Sequence, residues 1–154
     1  MSTLSDHDQQ FCDAMASLMA PWGWPRPVGR MYAYLLLAEA PVTLDRLAED
    51  LGVAKSNASI AARTLEQFGN ARRHTEPGTK RIFYSAPTVQ TGPFASKVEL
   101  LARLERLLCD RQREGVAPAV AERLLGMAGF YARMRGAIAG LIAEARDQAA
   151  NDQM

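Results

Sequence analysis

The stretch Thr43-Leu44-Asp45-Arg46-Leu47-Ala48-Glu49-Asp50-Leu51-Gly52-Val53-Ala54-Lys55-Ser56-Asn57-Ala58-Ser59-Ile60-Ala61-Ala62-Arg63 decides the fold. Thr43 is a good helix N-cap, because its hydroxyl can accept a hydrogen bond from a first-turn amide, and Asp45 puts negative charge where the helix end is positive. Leu44, Leu47, Ala48 and Leu51 recur at helical spacing, and Gly52 offers the left-handed residue that ends a helix. A second helix is predicted to start two or three residues later, near Ala54, and to run to Phe68 before Gly69. Spacing places Ala58, Ala62 and Leu65 on its core face, with Phe68 as a further candidate. Lys55, Ser56, Asn57, Ser59, Ile60 and Arg63 are left outward or at the flank. Two short helices joined by a tight glycine turn form a helix-turn-helix unit.

Just downstream, Pro77-Gly78 is a strong turn signal, flanked by segments suited to two short strands at about 71–75 and 80–85. A hairpin directly after a helix-turn-helix is a wing. Ile82 and Tyr84 cannot share a face with Arg81 and Phe83, so one face of the hairpin is expected to cover the core. Upstream, Ser5 with Asp8 resembles a capping box, and Phe11, Met15, Leu18 and Met19 predict a first helix over about 6–19. Pro21, Gly23, Pro25 and Pro27 break it into a loop that holds both tryptophans. A second, central helix is expected from about Val28 to Ala38, stopped by Pro41.

Beyond a linker at Pro87–Gly92, with Thr91 as a candidate cap, residues 93–113 read as a helix and about 118–149 as a longer one. In the latter, Val120, Leu124, Met127, Tyr131, Met134, Ile138, Leu141 and Ala145 alternate spacings of four and three, a sustained heptad seam. Gly126, Gly129, Gly136 and Gly140 lie in the same helix, each costing up to about 1 kcal/mol relative to Ala. Small residues let two helices approach closely. The reading is therefore mainly α with a small β-hairpin wing: residues 1–90 as an N-terminal helix and winged helix-turn-helix, residues 91–154 as a helical dimerisation region. Leu124, Met127, Tyr131, Met134, Ile138 and Leu141 are its candidate contacts.

Composition narrows the function. The chain has 154 residues, 48% hydrophobic, enough for a real core. No run approaches the roughly 20 apolar residues of a membrane span, and no secretory leader is visible, so the expected compartment is the cytoplasm. A net charge of +1 hides an uneven spread. Residues 51–85 carry Lys55, Arg63, Arg72, Arg73, Lys80 and Arg81 against only Glu66 and Glu76, the footprint of a polyanion-binding surface. Cys12 and Cys109 form no metal-ligand cluster, His7 and His74 have no nucleophile at a recognisable spacing, and the glycines make no phosphate loop. Neither an enzyme nor a cofactor or metal is expected.

In a helix-turn-helix the second helix enters the major groove by its N-terminal half. Lys55, Ser56 and Asn57 sit where helix amides favour phosphate, and Asn57, Ser59 and Arg63 are candidate base readers. Arg73, Lys80 and Arg81 are expected to reach phosphates or the minor groove from the wing. The expected partners are double-stranded DNA and a second copy of the chain. Trp22, Trp24, Tyr32, Phe94 and Tyr131 are candidate contacts for a small-molecule effector, since aromatic faces attract quaternary ammonium groups. Competing readings are a winged-helix protein-interaction module and a ligand-binding helical protein, neither touching DNA.

Gly29-Arg30-Met31-Tyr32-Ala33-Tyr34-Leu35-Leu36-Leu37, the run Thr43 to Val53, and Lys55-Ser56-Asn57-Ala58-Ser59 resemble the GbsR subgroup of MarR-like regulators. The similarity covers residues 23–90 and extends to the C-terminal helices in type only. It implies a dimeric winged-helix repressor, and the subgroup is known for controlling osmoprotectant uptake or synthesis genes. Two residues depart from the pattern. Ala54 stands where a capping Ser is common, and Asn70 where an apolar residue usually follows the glycine.

Overall fold

The computed structural model describes residues 4–87 and 91–151, apart from the Pro93 side chain. The chain divides into two compact units, Met1–Thr88 and Val89–Met154. In the first, helix α1 (Asp6–Met19) starts on the expected capping box, with the Ser5 hydroxyl accepting from the Asp8 amide. It ends in a 3-10 turn at Ala20–Trp22, closed by Gly23. Helix α2 (Arg26–Leu37) begins two residues before the expected Val28, so Pro27 falls in its first turn. Then come strand β1 (Val42–Thr43), α3 (Leu44–Leu51), α4 (Lys55–Gln67), β2 (Arg72–Thr75) and β3 (Ile82–Ser85).

The core of this unit is made of Met31 and Leu35 from α2, Leu47 and Leu51 from α3, the Ala58, Ala61, Ala62 and Leu65 face of α4, Cys12 of α1 and Tyr84 of β3. Three alanines on α4 leave room for the bulkier α2 residues. Contact between α1 and α2 is tighter still: a Cβ on Gly29 would stand 2.7 Å from the Ala16 Cα, so only glycine fits. Phe68 is exposed, contrary to the expectation that it joins the core. It is the C-cap of α4, where the chain turns through Gly69 (φ 74°) and the next buried residue is Asn70. The side-chain nitrogen and oxygen of Asn70 have no hydrogen-bond partner among the described residues.

The expected β2–β3 hairpin is present, and β1 adds a third antiparallel strand to it, in the order β1-β3-β2. Val42 faces Tyr84 and Thr43 faces Phe83, which ties the start of α3 to the wing.

The second unit is a pair of helices, α5 (Gly92–Arg113) and α6 (Pro118–Asn151), separated at Gly115 (φ 94°). Thr91 stands at the N-cap of α5 but its side chain makes no capping bond. An Arg135–Glu105 pair at 2.7 Å bridges the helices and marks the side of α6 that faces α5. At 100° per residue, Leu124 and the buried Ala128 fall near that side, while Gly126, Gly129, Gly136 and Gly140 fall well away from it. A Cβ at any of these glycines would meet nothing within 4 Å. No helix among the described residues is long and apolar enough to cross a membrane.

Candidate nucleic-acid interface

Local chemistry sets the angle between α3 and α4. The Thr43 hydroxyl accepts from the Arg46 amide at 3.2 Å, as a cap should. Gly52 adopts φ 64°, and its N–H and that of Val53 return to the last carbonyls of α3. This is the left-handed termination predicted from the glycine. Helix α4 then starts without a side-chain cap, because Ala54 has no polar atom to offer.

With Ala58, Ala61, Ala62 and Leu65 inward, the opposite side of α4 carries Ser56, Ile60 and Arg63 in one row. Asn57 and Ser59 lie to the flanks of that row, and Ser59 is half-buried. The Arg63 Nε lies 3.4 Å from the Ser59 carbonyl and the Thr64 hydroxyl donates to the Ile60 carbonyl at 2.9 Å, so both side chains lean on their own helix. No carboxylate occurs in α4 before Glu66.

The wing turns at Glu76-Pro77-Gly78-Thr79, where the Thr79 amide donates to the Glu76 carbonyl and Gly78 takes φ 83°. Proline followed by a left-handed glycine is the pattern of a type II turn. Lys80 and Arg81 follow the turn, both exposed. They join Lys55 in lining a concavity of about 590 Å3 between the start of α3, the start of α4 and the wing, together with Thr43, Leu44, Asp45, Thr79 and Ile82. Three of the predicted cations thus converge. The helix-end role of Asp45 is legible in the sequence but its pairing is not: its carboxylate meets the Lys55 ammonium at 2.7 Å. Both groups are exposed, so the pair contributes little to stability.

Arg63 and Arg73 do not line this concavity, and Arg73 stands opposite Tyr84 across the hairpin. Burial first, then the nearby Glu66 carboxylate, pushes the Tyr84 hydroxyl above its ordinary value, while Arg73 and Arg63 pull it back. Both guanidinium groups therefore lie within electrostatic reach of the one buried wing residue. His74 shares a 2.7 Å hydrogen bond with the Ser85 hydroxyl across the hairpin.

A buried network holds α3 against α2. The Asp50 carboxylate is almost fully buried and accepts from the Tyr34 hydroxyl at 2.6 Å and the Arg46 Nε at 2.8 Å. Burial, reinforced by the bond to Asp50, pushes Tyr34 up to about 12. Arg30 of α2 donates to the Leu51 carbonyl at the end of α3 and pairs with Asp13 of α1 at 3.1 Å. The orientation of the helix-turn-helix is thus fixed by polar contacts as well as by packing.

The candidate dimer contacts fall into two groups. Leu124, Tyr131 and Ile138 are half-buried within the chain, whereas Met127, Met134 and Leu141 are exposed. Among the candidate effector contacts, Trp24 and Tyr32 meet edge to face at 5.4 Å and pack against the core of the first unit. Trp22 is half exposed, and Phe94 and Tyr131 belong to the second unit. The basic concavity and a smaller one of about 240 Å3, lined by Ala95, Val98, Ala139, Ile142, Ala143 and Arg146, include none of these five rings. Cys12 is fully buried and burial pushes its thiol up, which suits an inert core residue rather than a redox sensor. No group of three or more metal-binding side chains occurs among the described residues.

No family model matches this chain. Over 131 residues it is 26% identical to a protein of Bacillus subtilis (strain 168) named HTH-type transcriptional repressor OpcR, covering 76% of this chain and 70% of that one. A solved structure described as a transcriptional regulator superposes with a TM-score of 0.69 at 21% identity, covering 92% of this chain and 99% of that chain. The second likeness, with the architecture above, shows the fold to be a winged helix-turn-helix followed by two helices.

Proposed function

We propose that this protein is a sequence-specific double-stranded DNA-binding transcriptional regulator, a repressor that acts as a homodimer. One observation carries the reading: Lys55 at the start of α4 and Lys80 and Arg81 of the wing converge on one concavity, beside a helix face without a carboxylate. Such a surface seats a phosphate backbone while α4 enters the major groove. The name of the Bacillus subtilis relative supports it, and residues 23–90 favour the GbsR-like subgroup. The second unit supplies the dimer contact, with the exposed Met127, Met134 and Leu141 as its first contacts. A two-fold pair of α4 helices then fits half-sites about one DNA turn apart.

Titration of duplex DNA at increasing salt tests this reading. Affinity falls steeply, with a log–log slope of about −0.9 per neutralised phosphate; binding indifferent to salt overturns it. That second result favours the protein-interaction reading, which the exposed Ile60 and Phe68 also suit. The proposal extends to a small-molecule effector, with Trp24 and Tyr32, which meet edge to face within the first unit, as its first candidate contacts. Titrating tryptophan fluorescence with quaternary amines tests it, and an unchanged spectrum removes it.

A further inference from the structure

The outward row of α4 runs Ser56, Ile60, Arg63. Its two ends can hydrogen-bond; its middle cannot. Ile60 is 58% exposed, although a large aliphatic side chain gains nothing by facing water. The fold does not need it there, since Ala58, Ala61, Ala62 and Leu65 already close the core face. Its carbonyl is engaged by Thr64, but the side chain packs into no core cluster. A β-branched chain on a helix is also stiff, so little rotamer freedom remains to be lost on contact.

Resting on the DNA-binding reading above, we propose that Ile60 is a specificity-determining residue that reads the 5-methyl group of a pyrimidine in the major groove. Among the base-edge features exposed there, hydrogen-bond donors and acceptors reward polar side chains. The methyl group alone rewards an apolar one. Ser56 and Arg63, about one helical turn to either side, hold the register on neighbouring phosphates or bases, and Ile60 covers the methyl between them. Thymine and 5-methylcytosine both present this group.

The test begins with selection of a preferred duplex from a randomised pool by the full chain. Each thymine is then replaced in turn by uracil, and each cytosine by 5-methylcytosine, at constant salt. With the parent protein, loss of a single contacted methyl weakens binding about fourfold, the value of burying one such group. Ile60→Ala, whose fold is checked by thermal unfolding, binds the selected duplex more weakly and no longer distinguishes thymine from uracil; Ile60→Val retains part of the discrimination. A response confined to 5-methylcytosine supports the proposal with that base as the source. Indifference of the parent to every methyl, or unchanged discrimination by Ile60→Ala, overturns it while leaving the DNA-binding reading intact. Absence of any duplex preference in the parent overturns both.

Discussion

The two units of this chain treat their apolar residues in opposite ways. In the first, the leucines of α3 at positions 47 and 51 and the core face of α4 are buried by the chain's own helices and by Tyr84. In the second, the 34-residue α6 buries Ala128, while Met127, Phe130, Met134 and Leu141 stay exposed. Amphipathic helices in the first unit find their partner within the same chain. The long helix of the second finds only part of one in α5, and the proposed second copy covers the remainder. The glycines show the same contrast: Gly29 is jammed against Ala16, while Gly136 and Gly140 of α6 face open space.

The largest expected effect breaks this comparison at its core. Leu65→Ala should destabilise the first unit by about 2–5 kcal/mol, the usual cost of an interior leucine. Leu141→Ala should cost a monomer almost nothing and instead raise the dimer dissociation constant. Denaturant titrations at several protein concentrations separate the two, and a concentration-independent loss for Leu141→Ala would remove it from the interface.

The glycine pair sharpens the contrast. Gly29→Ala should cost about 1–3 kcal/mol, because the new methyl meets backbone and cannot be accommodated by a rotamer change. Gly136→Ala meets nothing in its own chain and should favour the helix by up to about 1 kcal/mol. Sedimentation of Gly136→Ala then reports on the partner: weakened dimers place the glycine face in the interface, and an unchanged mass excludes it.

A smaller effect concerns Tyr34. Its folded value near 12 exceeds the ordinary value near 10. The stabilisation is therefore complete below about pH 10 and is lost as pH rises from there toward 12. Tyr34→Phe should cost about 1 kcal/mol at neutral pH and make the alkaline decline shallower. Some alkaline decline remains in the variant, because burial shifts Tyr32 and Tyr84 upward as well; equal slopes for parent and variant would contradict a contribution from Tyr34.

Much of the first unit was legible in the sequence because its punctuation is local. Thr43, Gly52, Ser5 with Asp8, and Pro77-Gly78 each impose a cap or a turn within a few residues. Strand β1 was not legible: a two-residue strand owes its identity to β3 across the sheet, and only the β-branched pair Val42-Thr43 hinted at it. Helical spacing extended to Phe68 puts it on the core face, but α4 ends at Gln67 and Phe68 is its C-cap. Asn70 departs from the pattern in sequence, but its burial comes from tertiary packing. The convergence of Lys55 with Lys80 and Arg81 is a consequence of β1 and the wing. The salt bridge to Asp45 likewise depends on the angle between α3 and α4. On α6, the heptad seam reads as one stripe, yet the structure splits it into half-buried and exposed members. A repeat in sequence cannot say which chain will cover it.

The most direct measurement compares the salt dependence of duplex binding for the parent and for the triple variant Lys55→Ala, Lys80→Ala, Arg81→Ala. A surface that seats phosphates there predicts weaker binding with a shallower slope, by roughly 0.9 for each contact removed. An identical slope for both proteins would place the DNA, if bound at all, on some other face of the molecule.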